Sequence, residues 1–119
     1  MKRRFRLRRQ AEFKAAVAGA RLYSGKTMLV FAVPTERDEH RVGVTTSRNI
    51  KGSVPRNRAR RRLREVARKN LLGADSPLRD GGIRYDVVLI ARPALVEAAF
   101  AELEAEAEQA ALRLSRLKR

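Results

Sequence analysis

Cysteine is absent from the 119 residues, which excludes disulfides and thiolate metal sites and is compatible with an intracellular setting. Histidine occurs once, as His40 in the loop sequence D-E-H-R. A lone loop histidine beside two acids, with no identifiable nucleophile or partner base, reads as solvated rather than catalytic. Asp38, Glu39, Asp75, Asp80 and Asp86 show no metal-ligand spacing, and there is no glycine motif of the kind that cradles phosphate. A protein nuclease needs a positioned base or a carboxylate cluster around metal ions. Neither is legible, so any catalysis involving this chain is expected to draw its chemistry from another molecule. Long apolar runs are missing too. The longest, residues 28–33, is far too short to cross a bilayer, and no apolar core of a signal peptide follows the basic residues near the start. The expectation is a soluble, cytoplasmic protein with no membrane and no small-molecule substrate among its partners.

Acids are scarce, and unevenly so. The formal net charge is +15 and the pI about 11.6, the electrostatic footprint of a polyanion binder. Residues 1–70 hold 21 Lys/Arg against 5 Asp/Glu, or +16, whereas residues 71–119 hold 7 against 8, or −1. The basic surface therefore belongs to the first part and the rest is scaffold. A chain of this length is expected to form one domain, residues 1–119, without linker or repeat. Residues 1–9 carry six of the cations and read as an arm, either a phosphate-reaching segment or a solubilising tail.

What is abundant is arginine. Residues 55–68 read P-R-N-R-A-R-R-R-L-R-E-V-A-R, seven arginines against the single acid Glu65. Good helix formers follow Pro55, whose missing N–H costs nothing in a first turn. Gly73 is the expected stop, and Ser53 a candidate N-cap, with the start open by two residues. At ~100° per residue, Ala59, Leu63, Val66, Ala67 and Leu71 form an apolar stripe. Asn57, Arg61, Arg64 and Arg68 share one flank, with Arg56 and Arg60 beside them. A solvated charged face normally mixes signs through i,i+4 pairs. These arginines have almost nothing to pair with, and planar guanidinium forks suit phosphate. The helix is expected to bind nucleic acid.

Around it the pattern alternates between helix and strand. From Gln10 a short helix closed by Gly19 places Phe13 and Val17 on one face, which fits a core pair and, for Phe13, stacking on an unpaired base. Residues 26–33 read as a strand stopped by Pro34, and residues 41–47 as its antiparallel partner. On the latter, Gly43, Thr45 and Ser47 make a small side with room for an RNA strand or for a packed helix. Residues 48–54 form a basic turn leading to the arginine helix, and residues 73–84 a loop. Residues 85–91 predict a central strand covered on both faces. Beyond Pro93, Val96, Phe100, Leu103, Ala107, Ala110, Leu114 and Leu117 predict a scaffold helix with its acids early and its cations late.

The arginine stretch resembles the signature of the bacterial ribonuclease P protein subunit. That pattern is an R-N-R triplet, a spacer, two basic residues and a further arginine. Arg56-Asn57-Arg58, Ala59, Arg60-Arg61 and Arg64 match it position by position. The F-K-x-x-V segment near residue 13, the strand ending near Phe31, R-V-G-V-T-T-S-R and the late strand and helix come in the family's order. The resemblance implies an α+β fold, a two-layer α/β sandwich in the order α-β-β-β-α-β-α, its third strand at or beside the stretch around Arg41. It also implies a left-handed β-α-β crossover, where physics alone predicts a right-handed one.

The implied function is the protein cofactor of the ribozyme that removes the 5′ leader from precursor tRNA, a subunit of an endoribonuclease whose catalytic groups and Mg²⁺ reside mainly in the RNA. No catalytic residue and no protein-held metal are expected. Arg48, Lys51, Arg56, Asn57, Arg58, Arg60, Arg61 and Arg64 would face ribonuclease P RNA. Phe13, Val17, Phe31, Thr45 and Ser47 would line a cleft, between the first helix and the sheet, for the precursor-tRNA leader. The sequence departs from the family in three places: Val17 replaces a common aromatic, Asn49 a usual lysine, and Gly52 stands one residue later than the usual G-x-A turn. The rival readings are a ribosomal or chaperone-type RNA-binding protein without a leader cleft, and a stand-alone metal-dependent nuclease, which the missing carboxylate cluster disfavours.

Overall fold

The computed structural model describes residues 21–35, 40–72 and 84–115. Strands β1 (Arg21–Ser24), β2 (Met28–Thr35), β3 (Arg41–Thr46) and β4 (Arg84–Ala91) form one mixed sheet in the order β1-β2-β4-β3. The arginine helix (Ser53–Asn70) joins β3 to β4, and a second helix (Phe100–Ser115) follows a 3-10 turn at Pro93–Leu95. The fold is α+β. The first helix and the basic arm expected within residues 1–20 lie outside the described residues, as do residues 73–83 with Gly73.

β4 is an interior strand, as its unbroken apolar run predicts. Val87, Leu89 and Ala91 are fully buried toward the helices, and Val88 is buried on the far face. That position overturns the expected pairing of residues 26–33 with 41–47. β2 and β3 are not neighbours; β4 lies between them, antiparallel to β2 and parallel to β3. An apolar strand loses more at an edge than one carrying Arg41, Thr45 and Thr46, and the long connection through the arginine helix makes the parallel pairing possible. The additional strand is Arg21–Ser24, paired to Leu29–Ala32 across a tight turn, and not a stretch beside Arg41.

Nor does Pro34 stop β2, which runs on to Thr35. Met28 accepts the Gly25 N–H on the β1 side. By the two-residue period of a strand, Pro34 turns its nitrogen to the same side, beyond the pairs that β1 makes, where no donor is required.

The arginine helix starts two residues before Pro55. Gly52, at φ 92°, takes the N-cap position rather than Ser53, and no side chain caps the helix; Leu71 is the C-cap. Its buried side is the expected one, since Ala59, Leu63, Val66, Ala67 and Leu71 all have zero exposure. They pack with Met28, Val30, Ala32, Val42 and β4 into one core. Leu103, Ala107, Ala110 and Ala111 of the second helix close it.

That helix begins at Phe100, later than its pattern suggests, because Pro93–Leu95 forms a separate turn that buries Leu95. Its acids do more than follow the helix dipole. Glu104 pairs with Lys69 at 2.9 Å, and Glu108 accepts from Asn70 Nδ2 at 3.4 Å. Glu106 reaches the β1–β2 turn, where its carboxylate accepts the Thr27 N–H at 3.2 Å and the Thr27 hydroxyl. A side chain at Gly25 would collide with that carboxylate. Thr27 is fully buried, so Glu106 satisfies a backbone donor that water cannot reach.

Candidate nucleic-acid interface

Outside the buried arc, the arginine helix sorts its polar side chains by angle. Asn57, Arg61, Arg64 and Arg68 point outward and are exposed. Arg60 donates to Asn57 Oδ1 at 3.2 Å, so these two hold each other. Arg68 is taken by Glu65, three residues back. That hydrogen bond holds the Glu65 carboxyl below the usual carboxylate range and raises the Arg68 guanidinium. The one acid on the helix is thereby neutralised locally. Among the described residues Arg61, Arg64, Arg48 and Lys51 meet no hydrogen-bond or ion-pair partner. Such guanidinium and ammonium groups repel one another until an anion arrives. The helix start adds to the field, because its first turn holds no acid and its backbone N–H groups carry the positive end of the dipole.

The other arginines are partly committed to the protein. Arg56 Nε donates to the Ile50 carbonyl at 2.9 Å, bracing the turn before the helix. Arg58 Nε donates to the Val96 carbonyl at 2.9 Å while the residue stays exposed, so its remaining N–H groups can reach a ligand. Arg62 donates to the Val96 carbonyl at 2.8 Å and to the Ala98 carbonyl. The sequence reading passed over Arg62. Its position on the flank 100° from Arg61 and nearer the apolar stripe was the available signal.

The far face of the sheet is a different surface. Phe31, Val88 and Gly43 form one row across β2, β4 and β3, and Leu29, Ile90 and Thr45 the next. Phe31, Val33 and Ile90 pack on Val88 and are half-buried. Phe31 and Thr45 thus share a face, two strands and two residues apart, turned away from the arginine helix. Ser47 lies just past β3, its N–H donating to the Ala91 carbonyl at 2.9 Å and its Oγ accepting from the Asn49 N–H at 3.2 Å. Phe13 and Val17 lie outside the described residues. Arg41 and Asp86 close one end of the face in a two-pronged ion pair, at 3.0 and 2.9 Å.

His40 is not solvated. It is 5% exposed, accepts the Tyr85 N–H on Nδ1 at 2.9 Å, and stacks on the Tyr85 ring at 5.9 Å. An imidazole accepting on Nδ1 is the neutral form protonated on Nε2. Its neighbour on the fold is 45 residues away, so the adjacent Asp38 and Glu39 misdirected the sequence reading.

A family model described as Ribonuclease P matches residues 1–115. The ribonuclease P protein component of Acidothermus cellulolyticus is 38% identical over 117 residues, covering 97% of this chain and 92% of that one. Its counterpart in Roseiflexus sp. is 38% identical over 111 residues, covering 92% and 85%. Among solved structures, the RNase P protein of Thermotoga maritima superposes with a TM-score of 0.71 at 20% identity, covering 96% of this chain and 98% of that one. The Staphylococcus aureus RNase P protein gives 0.70 at 18% identity, covering 97% and 98%. At those identities the likeness shows a common fold.

Proposed function

The chain belongs to the ribonuclease P protein family, the protein component of that ribonucleoprotein, and on this premise we propose that it works through two opposed surfaces. The arginine helix docks on the catalytic RNA. The far face of the sheet receives the 5′ leader of precursor tRNA. The observation that carries this reading is the outward row of Asn57, Arg61 and Arg64, in which neither arginine meets an acceptor among the described residues and both stand on a helix packed on the core. Arg56 and Arg60 flank it on one side and Arg58 on the other, with Arg48 and Lys51 in the turn before the helix. On the opposite face, half-buried Phe31 packs on Val88 and Thr45 brings a hydroxyl, a floor suited to an unpaired base and its sugar.

Charge screening is the protein's contribution to catalysis in this scheme. Bringing precursor tRNA onto an RNA enzyme sets phosphate against phosphate, and guanidinium groups lower that cost within a Debye length of about 8–10 Å. Mg²⁺ and the reacting groups are assigned to the RNA. Among the described residues, four carboxylates are engaged within the protein: Asp86 by Arg41, Glu65 by Arg68, Glu104 by Lys69 and Glu106 by Thr27. Among the described residues no cluster of His, Asp and Glu is placed to hold a metal ion.

Leader recognition has a direct test. The reconstituted complex should bind precursor tRNA more tightly than the same tRNA lacking its leader. Phe31→Leu, which keeps apolar volume but loses the ring, should shrink that preference by about 30-fold, the middle of the ~1–3 kcal/mol range for one stacked base. An equal loss for both RNAs, or none for either, would remove Phe31 from the leader site.

A further inference from the structure

We propose that Arg62, although it lies within the arginine run, is a positioning residue that fixes the rotation of the arginine helix and so aims Arg61 and Arg64 at the RNA. The inference rests on the RNA-facing reading of that helix. Arg62 is half-buried and spreads its guanidinium over two backbone carbonyls, Val96 and Ala98, on either side of Glu97. Arg58, one turn earlier, donates to the same Val96 carbonyl. These acceptors are held firmly. Leu95 is buried in the core, the Leu95 N–H donates to the Arg92 carbonyl at 2.9 Å, and the Val96 N–H to the Pro93 carbonyl at 3.2 Å.

The packing beneath makes such an anchor necessary. Two of the helix's four buried apolar side chains are alanines, Ala59 and Ala67, which leaves Leu63 and Val66 as the large keys against rolling. A planar fork held at two points resists rotation where a smooth alanine contact does not. The arrangement has an electrostatic cost. Burial, and then the adjacent Arg58 charge, lowers the Arg62 guanidinium from its ordinary value, with Glu97 opposing. A half-buried guanidinium with both terminal nitrogens on the protein's own carbonyls is a poor use of arginine for phosphate contact and a good one for bracing. Removing Arg62 lets the helix roll, so that Arg61 and Arg64 lose aim together.

The test measures binding of the full-length protein to a bacterial ribonuclease P RNA across a salt series, at a temperature where circular dichroism shows every variant folded. Arg62→Leu should weaken binding by about 5-fold, within the range by which coupled neighbours influence one another. The slope of log affinity against log salt should stay at the wild-type value, whereas Arg61→Ala lowers it by about 1. Combined with Arg61→Ala/Arg64→Ala, which removes both aimed contacts, the Arg62→Leu effect should largely vanish. Arg62→Lys, which keeps the charge but not the fork and secures a folded comparison, should fall between wild type and Arg62→Leu. A slope lowered by about 1 in Arg62→Leu would make Arg62 a phosphate ligand, and unchanged affinity would make it a brace of stability alone; either overturns the proposal. Wild-type protein that fails to bind the RNA would instead overturn the reading of the helix.

Discussion

Replacing Arg61 and Arg64 together by alanine should weaken binding to ribonuclease P RNA by roughly 100-fold. Each charge-assisted contact with phosphate is worth about 1.5–3 kcal/mol at best, and about 1.4 kcal/mol is tenfold in affinity. The salt slope should fall by about 2 as two fewer counterions are released. Thermal stability should hold or rise slightly. Both side chains are exposed and meet no partner among the described residues, and their removal relieves mutual repulsion. Arg68→Ala should do far less to binding, because Arg68 already has Glu65. Filter binding across a salt series, with thermal denaturation alongside, separates these effects. Equal losses for Arg68→Ala and for the Arg61/Arg64 pair would mean that bulk charge, not the outward row, governs affinity.

The largest single effect on stability is expected at Glu106, far from either surface. Glu106→Ala strips the buried Thr27 N–H and hydroxyl of their acceptor and loosens the β1–β2 turn from the second helix. A buried donor left unmatched, together with the lost charge-assisted bonds, should cost about 3 kcal/mol, or a fall in Tm of about 10–15 °C for a domain of this size. Glu106→Gln keeps one acceptor oxygen and should cost about 1 kcal/mol. Glu102→Ala, on the exposed side of the same helix, is the control and should change little. If Glu106→Ala and Glu102→Ala melt alike, the turn is held by its β-pairing alone.

Local periodicity made much of this fold legible. The stripe Ala59, Leu63, Val66, Ala67 and Leu71 is buried as its spacing demands, because a helix has one period and one apolar face. The unbroken run in β4 likewise announced an interior strand. Pairing was harder, since the register of β3 on β4 depends on which strand needs cover most and not on which comes next in the chain. β1 is four residues long and half polar, too short to show a period. His40 and Glu106 owe their places to Tyr85 and Thr27, partners 45 and 79 residues distant. Arg62 illustrates the sharpest limit. Its acceptors are backbone carbonyls, which every residue carries and no sequence pattern marks. The arginine helix could be recognised as basic and amphipathic from composition, but which arginines face outward and which grip the protein is a property of the packed structure.

The most direct test of the central claim is precursor-tRNA cleavage by a bacterial ribonuclease P RNA at limiting Mg²⁺, with and without this protein and with its Arg60→Ala/Arg61→Ala variant. A strong protein-dependent gain in cleavage, sharply reduced in a variant that melts like wild type, is the predicted result. No gain from correctly folded protein, across several such RNAs, would contradict it.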